Sequence, residues 1–155
     1  LHCSAILSLT ACASAGVEET STAFESVELT RTACLGTCPN YSVTVLNDGS
    51  VSFEGRSGVE APGLSRAQLS ASRLRKLSSA VLASRHLFEA PENIECHILS
   101  LDAPETTMRV VVGGQEHELS ADFGCSGSAV DQFHSLAETI DRIAVTHGWI
   151  GGARD

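Results

Sequence analysis

The chain has 155 residues, of which 43% are hydrophobic, and its mean hydropathy is +0.08. This length fits one domain and supplies enough apolar residues for a core, which argues against disorder throughout. Nineteen Asp and Glu residues outnumber 10 Lys and Arg residues, so the net charge is -9. A chain of this charge repels phosphate backbones and anionic lipid surfaces, which makes nucleic acid a poor partner.

The first eleven residues are mostly apolar and contain no Asp, Glu, Lys or Arg. They are too few to span a bilayer as a helix. The run Leu9-Thr10-Ala11-Cys12 resembles the bacterial lipobox, in which the cysteine receives a diacylglycerol before the signal peptide is removed. We therefore interpret residues 1–11 as the end of a signal peptide, with a truncated start because a basic region is missing. The alternative is an ordinary apolar terminus with a plain thiol at Cys12.

The lipobox interpretation predicts a bacterial cell-envelope lipoprotein that a lipid on Cys12 anchors to a membrane. Residues 12–24 are small and polar, so we expect a lipidated cysteine followed by a flexible tether. Residues 25–151 are expected to form a single domain on the periplasmic or extracellular side.

The first elements of this domain are predicted to be strands. Apolar and polar residues alternate from Glu25 onward, as in a half-buried strand. A hairpin follows over residues 41–54, with a three-residue loop in which Gly49 has a positive φ. This register places five side chains on the core face: Tyr41, Val43, Val45, Val51 and Phe53. Residues 64–69 predict a weaker strand.

A helix and a second hairpin come next in the chain. Ser70 is a suitable N-cap for a helix over residues 71–84. Gly113-Gly114 predicts a two-residue turn, and counting outward from it places Arg109 opposite Glu118 on the solvent face. Such an ion pair across the two strands supports this register.

The last predicted element is a second helix. Ser128 and Asp131 resemble a capping box, and the apolar residues that follow have helical spacing. We expect Gly148 to end this helix and Trp149 to fold back onto the core. The order, roughly βββ(β)αββα, predicts an α+β fold in which two helices pack on one antiparallel sheet.

The most informative short run is Cys34-Leu35-Gly36-Thr37-Cys38-Pro39. Arg31-Thr32 precedes it, Tyr41 follows it, and Asp48-Gly49 and Trp149-Ile150-Gly151 lie further along the chain. Together these segments resemble an uncharacterised bacterial family, a domain of unknown function whose members carry R-T-x-C-[FL]-G-x-C-P-x-Y and look like envelope or secreted proteins. The resemblance covers Val27 to Gly151, and it implies no activity because none is established for the family.

Four cysteines remain once Cys3 is assigned to the signal peptide and Cys12 to the anchor. An even number of cysteines in an oxidising compartment indicates disulfides, and four cysteines allow three pairings. We favour one bridge within the motif and one between more distant residues: Cys34 with Cys38, and Cys96 with Cys125.

Two functional interpretations of these cysteines stay open beside the structural one. Thiolates and imidazole suit Cu(I) or Zn(II), so Cys34, Cys38 and His97, with one of the other cysteines, form an alternative metal set. A redox dithiol is the other, although C-x-x-C is the usual spacing and Pro39 leads into a strand rather than a helix that would lower the thiolate pKa.

No catalytic signature is found, since Gly124-Cys125-Ser126-Gly127 does not match the G-x-S-x-G nucleophile motif. We accordingly expect no enzyme activity and no cofactor. The predicted function is a non-enzymatic envelope module that binds a protein, peptide or small ligand through its sheet or sheet edge. The alternative is a metal-handling or thiol-redox lipoprotein that uses Cys34 and Cys38.

Overall fold

One antiparallel sheet of six strands forms the framework of the protein, whose computed structural model describes residues 22–91, 94, 103–144 and 147–151. The strands are β1 (Ser26–Arg31), β2 (Asn40–Leu46), β3 (Ser50–Ser57), β4 (Gly63–Gln68), β5 (Glu105–Val112) and β6 (Gln115–Asp122). The helices within these residues are α1 (Ala71–Ala83), α2 (Arg85–Glu89), α3 (Ser128–Ile143) and α4 (His147–Ile150). The strand order in the sheet is β4-β3-β2-β1-β5-β6.

The helices cover one face of the sheet. Successive side chains of a strand point to opposite faces, so Val27 and Leu29 are buried in the core while Glu28 and Thr30 lie on the open face. Helices α1 and α3 contribute apolar stripes to the same core: Leu74, Leu77, Val81, Val130, Phe133, Leu136 and Ile140. The predicted α+β fold, with helices packed on an antiparallel sheet, is confirmed.

The first predicted hairpin has the register that the alternation indicated. Val43 pairs with Phe53 and Val45 with Val51, and all four side chains are buried. Gly49 ends the three-residue loop with φ +84°, and its N–H donates to the Leu46 carbonyl at 2.9 Å. The loop type is therefore confirmed.

The second hairpin is also confirmed. Val112 pairs with Gln115 across the Gly113-Gly114 turn, and Arg109 faces Glu118 and forms a salt bridge with it. The weaker strand predicted at residues 64–69 is β4, shifted by one residue at each end. The side chain of Ser70 caps α1 by accepting a hydrogen bond from the N–H of Arg73.

Two details of the prediction for the last helix are wrong. Ser128 is the first residue of α3 rather than its cap, because Gly127 takes the cap position with φ +139° and no side chain to bond. The Ser128 hydroxyl instead accepts a hydrogen bond from Gln132 at 3.2 Å. Helix α3 ends at Ile143, and Gly148 lies inside the short helix α4 rather than ending α3. Helix α2 was not predicted.

The two ends of the sheet carry different loops. At the "hairpin end", Glu25 leads into β1 and contacts both hairpin turns, because its carbonyl accepts from Asn47 and its carboxylate accepts from Gly114. At the opposite "disulfide end" lie the loop of residues 32–39, the turn between β3 and β4, and the chain that leaves β6. Within the described residues, no helix has the length and apolar character that crossing a membrane requires.

Candidate functional site

The loop of residues 32–39, here called the cysteine loop, joins β1 to β2. Cys34 and Cys38 form a disulfide in it, with a Cα–Cα distance of 5.5 Å. The loop is tied to the start of β5, because the N–H of Thr32 donates to the Glu105 carbonyl at 3.0 Å and the N–H of Glu105 donates to the Thr32 hydroxyl at 2.8 Å. Leu35, at its outer side, is 80% exposed. The first predicted disulfide is therefore present.

A cluster of polar side chains lies behind the cysteine loop. Arg31 and Tyr41 are the last pair of the β1–β2 ladder, and Thr106 faces Arg31 from β5. Asp141 of α3 accepts hydrogen bonds from Arg31 Nε at 3.0 Å, from Arg31 Nη2 at 2.9 Å and from the Tyr41 hydroxyl at 2.7 Å. Arg31 Nη1 donates to the Thr106 hydroxyl at 3.2 Å. The cluster, which we call the arginine clamp, thus ties three strands to α3.

The pKa shifts in the arginine clamp keep Arg31 charged and Tyr41 neutral. Burial opposes the charge of Arg31, but the negative charge of Asp141 and the hydrogen bonds that Asp141 and the Tyr41 hydroxyl accept from Arg31 outweigh it, so the pKa of the guanidinium is raised. Burial, and then the negative charge of Asp141, raise the pKa of the Tyr41 hydroxyl well above its ordinary value of 10. Tyr41 therefore stays a neutral donor to Asp141. These groups are suited to holding the sheet and α3 together, because each already has its partners.

The turn between β3 and β4 closes the same end of the sheet. A Cβ on Gly58 would lie 2.8 Å from the Cys38 carbonyl oxygen, so only glycine allows this approach to the cysteine loop. The N–H of Ala61 donates to the Trp149 carbonyl at 2.9 Å, and the Trp149 ring lies 5.0 Å from that of Phe53. The predicted return of Trp149 to the core is confirmed.

The segment that leaves β6 adds an aromatic side chain to the disulfide end. Phe123 is 75% exposed, its N–H donates to the Pro104 carbonyl at 3.2 Å, and its ring centroid lies 6.4 Å from that of His134 on α3. Burial, followed by the positive charge of Arg31, lowers the pKa of His134. This histidine is therefore neutral down to a lower pH than an ordinary one.

Of the other predicted site residues, the structure describes only Cys125. Cys12, Cys96 and His97 lie outside the described residues. Cys125 is buried and disulfide-bonded, so its pairing with Cys96 stays a prediction. Among the residues that the structure describes, no three His, Cys, Asp or Glu side chains are grouped as metal ligands would be. In the disulfide, Cys34 is not a thiolate, so the metal alternative would require reduction of the bridge first.

The sequence analysis missed the arginine clamp, although two signals for it were present. Arg31 has the same parity as Val27 and Leu29, which places a charge on the core face of a strand. Asp141 follows Ala137 by four residues and so lies on the buried side of α3. Two opposite charges on core-facing positions need each other, because a buried charge without a partner is costly.

Comparison with known protein families shows which family the chain belongs to. The model of a family described as a domain of unknown function (DUF6438) matches residues 25–144. The chain belongs to this family. Within the DUF6438 segment lie all six strands, α1, α3, the cysteine loop and the whole arginine clamp. No curated protein matches the chain.

Proposed function

We propose that this DUF6438 protein is a bacterial cell-envelope lipoprotein, acylated on Cys12, whose domain binds another envelope molecule without catalysing a reaction. The observation that carries the location is the oxidation of its cysteines, since Cys34 is bonded to Cys38 and Cys125 is also disulfide-bonded. Disulfides persist in oxidising compartments and are rare in the cytosol. The lipobox-like run that ends at Cys12 supports the same compartment.

The course of the chain suits a lipid anchor. Residues 22–25 lead into β1 at the hairpin end, so a tether from Cys12 would approach the domain from that side. The cysteine loop is at the other end of the same strand. The tether would thus join the domain at the end of the sheet opposite to the cysteine loop.

Binding is supported over catalysis by how the polar groups beside the cysteine loop are used. Asp141 neutralises Arg31, and Tyr41 has a raised pKa and donates to the same carboxylate. These contacts rigidify the end of the sheet, while Leu35 presents an apolar side chain to solvent. A rigid surface with an exposed apolar anchor is typical of a binding site.

The anchor is tested by Cys12→Ala in a precursor with a complete signal peptide, expressed in a bacterial host. The parent should incorporate a labelled fatty acid and sediment with membranes, whereas the variant should do neither. Cys3→Ala is the matched control, because Cys3 would be removed with the signal peptide, and it should behave as the parent. Unchanged membrane partition of Cys12→Ala would refute the anchor.

The rival proposal is a metal-handling or thiol-redox lipoprotein that works through the reduced form of Cys34 and Cys38. Its support is that both cysteines are only partly buried and so can be reached by a reductant or exchange partner. Thiol titration of the denatured, unreduced protein separates the two. Structural disulfides predict no free thiol among the four domain cysteines, with reductant, but not chelator, lowering the melting temperature. A free thiol pair or sensitivity to chelator would favour the rival.

A further inference from the structure

We propose that the disulfide end is a docking surface for a protein partner that presents an apolar pocket surrounded by basic residues. Leu35 and Phe123 would be the anchors that enter this pocket, and Glu60, Glu105 and Asp122 would face its basic rim. The inference rests on the proposed function and deepens it, because it names the kind of molecule that the anchored domain binds.

The apolar part of the surface comes from two neighbouring chain segments. Leu35 and Phe123 are 80% and 75% exposed, more than any other large apolar side chain in the described residues. Thr32 is hydrogen-bonded to Glu105, and Phe123 to Pro104, so both segments adjoin the start of β5. Strands lie about 4.8 Å apart, which places the ends of β1 and β6 within roughly 10 Å of each other.

The surface is held rigid before any partner binds. The Cys34–Cys38 disulfide closes the chain around Leu35, and Gly58 packs closely on the carbonyl of Cys38. Behind the loop, the arginine clamp fixes the ends of β1 and β2 against α3. An apolar side chain on a preorganised loop loses little conformational entropy when it docks, which favours its use as an anchor.

The charges around these anchors indicate the chemistry of the partner. Arg31 pairs with Asp141, and Arg56 pairs with Glu54, so these two cations of the described residues near this end already have carboxylate partners. By contrast, Glu60, Glu105 and Asp122 form no ion pair within the described part of the chain. An apolar centre with an uncompensated acidic border is complementary to an apolar pocket with a basic rim.

A protein partner fits this surface better than a membrane does. The chain enters at the hairpin end, and the six residues of β1 separate that end from the cysteine loop by about 20 Å. The lipid on Cys12 would therefore be attached at the end of the domain that does not carry Leu35. The net charge of -9 and the local carboxylates would also repel anionic lipid.

The test uses the full-length lipoprotein in living cells, with a photoreactive residue replacing Leu35. Irradiation should give a discrete protein adduct. The same residue at position 82, where Leu82 is 55% exposed on α1, should not give that adduct. The double variant Glu105→Gln/Asp122→Asn should lower the yield at position 35 about fivefold, while the Trp149 fluorescence of the purified variant shows a native fold.

Each outcome decides the proposal. The docking surface would be overturned by equal adducts at positions 35 and 82, by a lipid adduct or by no adduct. It would also be overturned if the charge variants left the yield unchanged. Measuring lipidation of the parent chain beside the adduct at position 35 separates this proposal from the anchor, and Cys12→Ala serves as the unlipidated control. If the adduct at position 35 persists in a parent chain that carries no lipid, the docking surface stands and the lipoprotein assignment fails. A lipidated parent without the adduct gives the reverse result.

Discussion

Asp141→Ala removes the acceptor on which the arginine clamp depends. The described hydrogen bonds to this carboxylate, two from Arg31 and one from Tyr41, would be lost, and the guanidinium would lose the carboxylate that it pairs with. Breaking a buried ion pair from one side costs about 3–5 kcal/mol. The Arg31 side chain keeps 24% of its exposure, so water can compensate part of the loss. We expect the free energy of unfolding to fall by about 3 kcal/mol.

The assay is urea unfolding followed by the fluorescence of Trp149, the one tryptophan of the chain, which packs at this end of the sheet. Replacing both partners, as Arg31→Met/Asp141→Leu, should cost less than the sum of its two single changes, because neither charge is then left alone. The cost that remains is that of the buried Tyr41 hydroxyl, which loses its acceptor, about 1–3 kcal/mol. Arg109→Met is the matched control, because Arg109 and Glu118 pair on the open face where both are about half exposed. It should cost less than about 1 kcal/mol.

This reasoning would be refuted if the losses of stability from the single changes were additive. If Asp141→Ala costs no more than the exposed control, or if the double replacement costs the sum of its two single changes, the clamp is not a coupled unit. The ion pair would then be a surface contact of little consequence.

Three further predictions concern single features. Gly49→Val should lower stability by more than about 1 kcal/mol, because a β-branched residue resists the positive φ and its Cβ would meet Gln68; an unchanged melting temperature would contradict the loop type. Replacing Cys34 and Cys38 by Ala should cost about 2 kcal/mol in urea unfolding, since their bridge closes a short loop. Tyr41, the one tyrosine, should ionise above pH 10 in the folded chain, as tyrosinate absorbance would show. Above that pH only the unfolded chain readily loses this proton, so stability should fall as pH rises, and Tyr41→Phe should remove that part of the slope.

Sequence patterns predicted the sheet well because its physics is local. A period of two, a loop with Gly49 and the Gly113-Gly114 turn were sufficient to fix both hairpin registers, and the Arg109–Glu118 pair followed from counting outward. The exact helix ends were harder to predict. Gly127 could take the cap position ahead of Ser128 because both residues can begin a helix, and local sequence does not decide between them.

The candidate site could be predicted only in part, because it depends on contacts between distant segments. The C-x3-C spacing indicated the loop and its disulfide, which is present, and the expected membership in a family of unknown function is confirmed. Asp141 lies 110 residues from Arg31 in the chain, so the role of either residue is visible only when α3 is packed on the sheet. The motif's arginine and tyrosine therefore look isolated in the sequence, whereas in the fold they hold one carboxylate.

The lipid anchor is the central claim, and the N-terminus of the protein purified from its own cells tests it most directly. Intact-mass and peptide mass spectrometry should find a chain that begins at Cys12, with diacylglycerol on the sulfur. The disulfide-bonded domain should follow in the same molecule. A chain that retains residues 1–11, or that begins at Cys12 without lipid, would contradict the proposed anchoring of this DUF6438 protein.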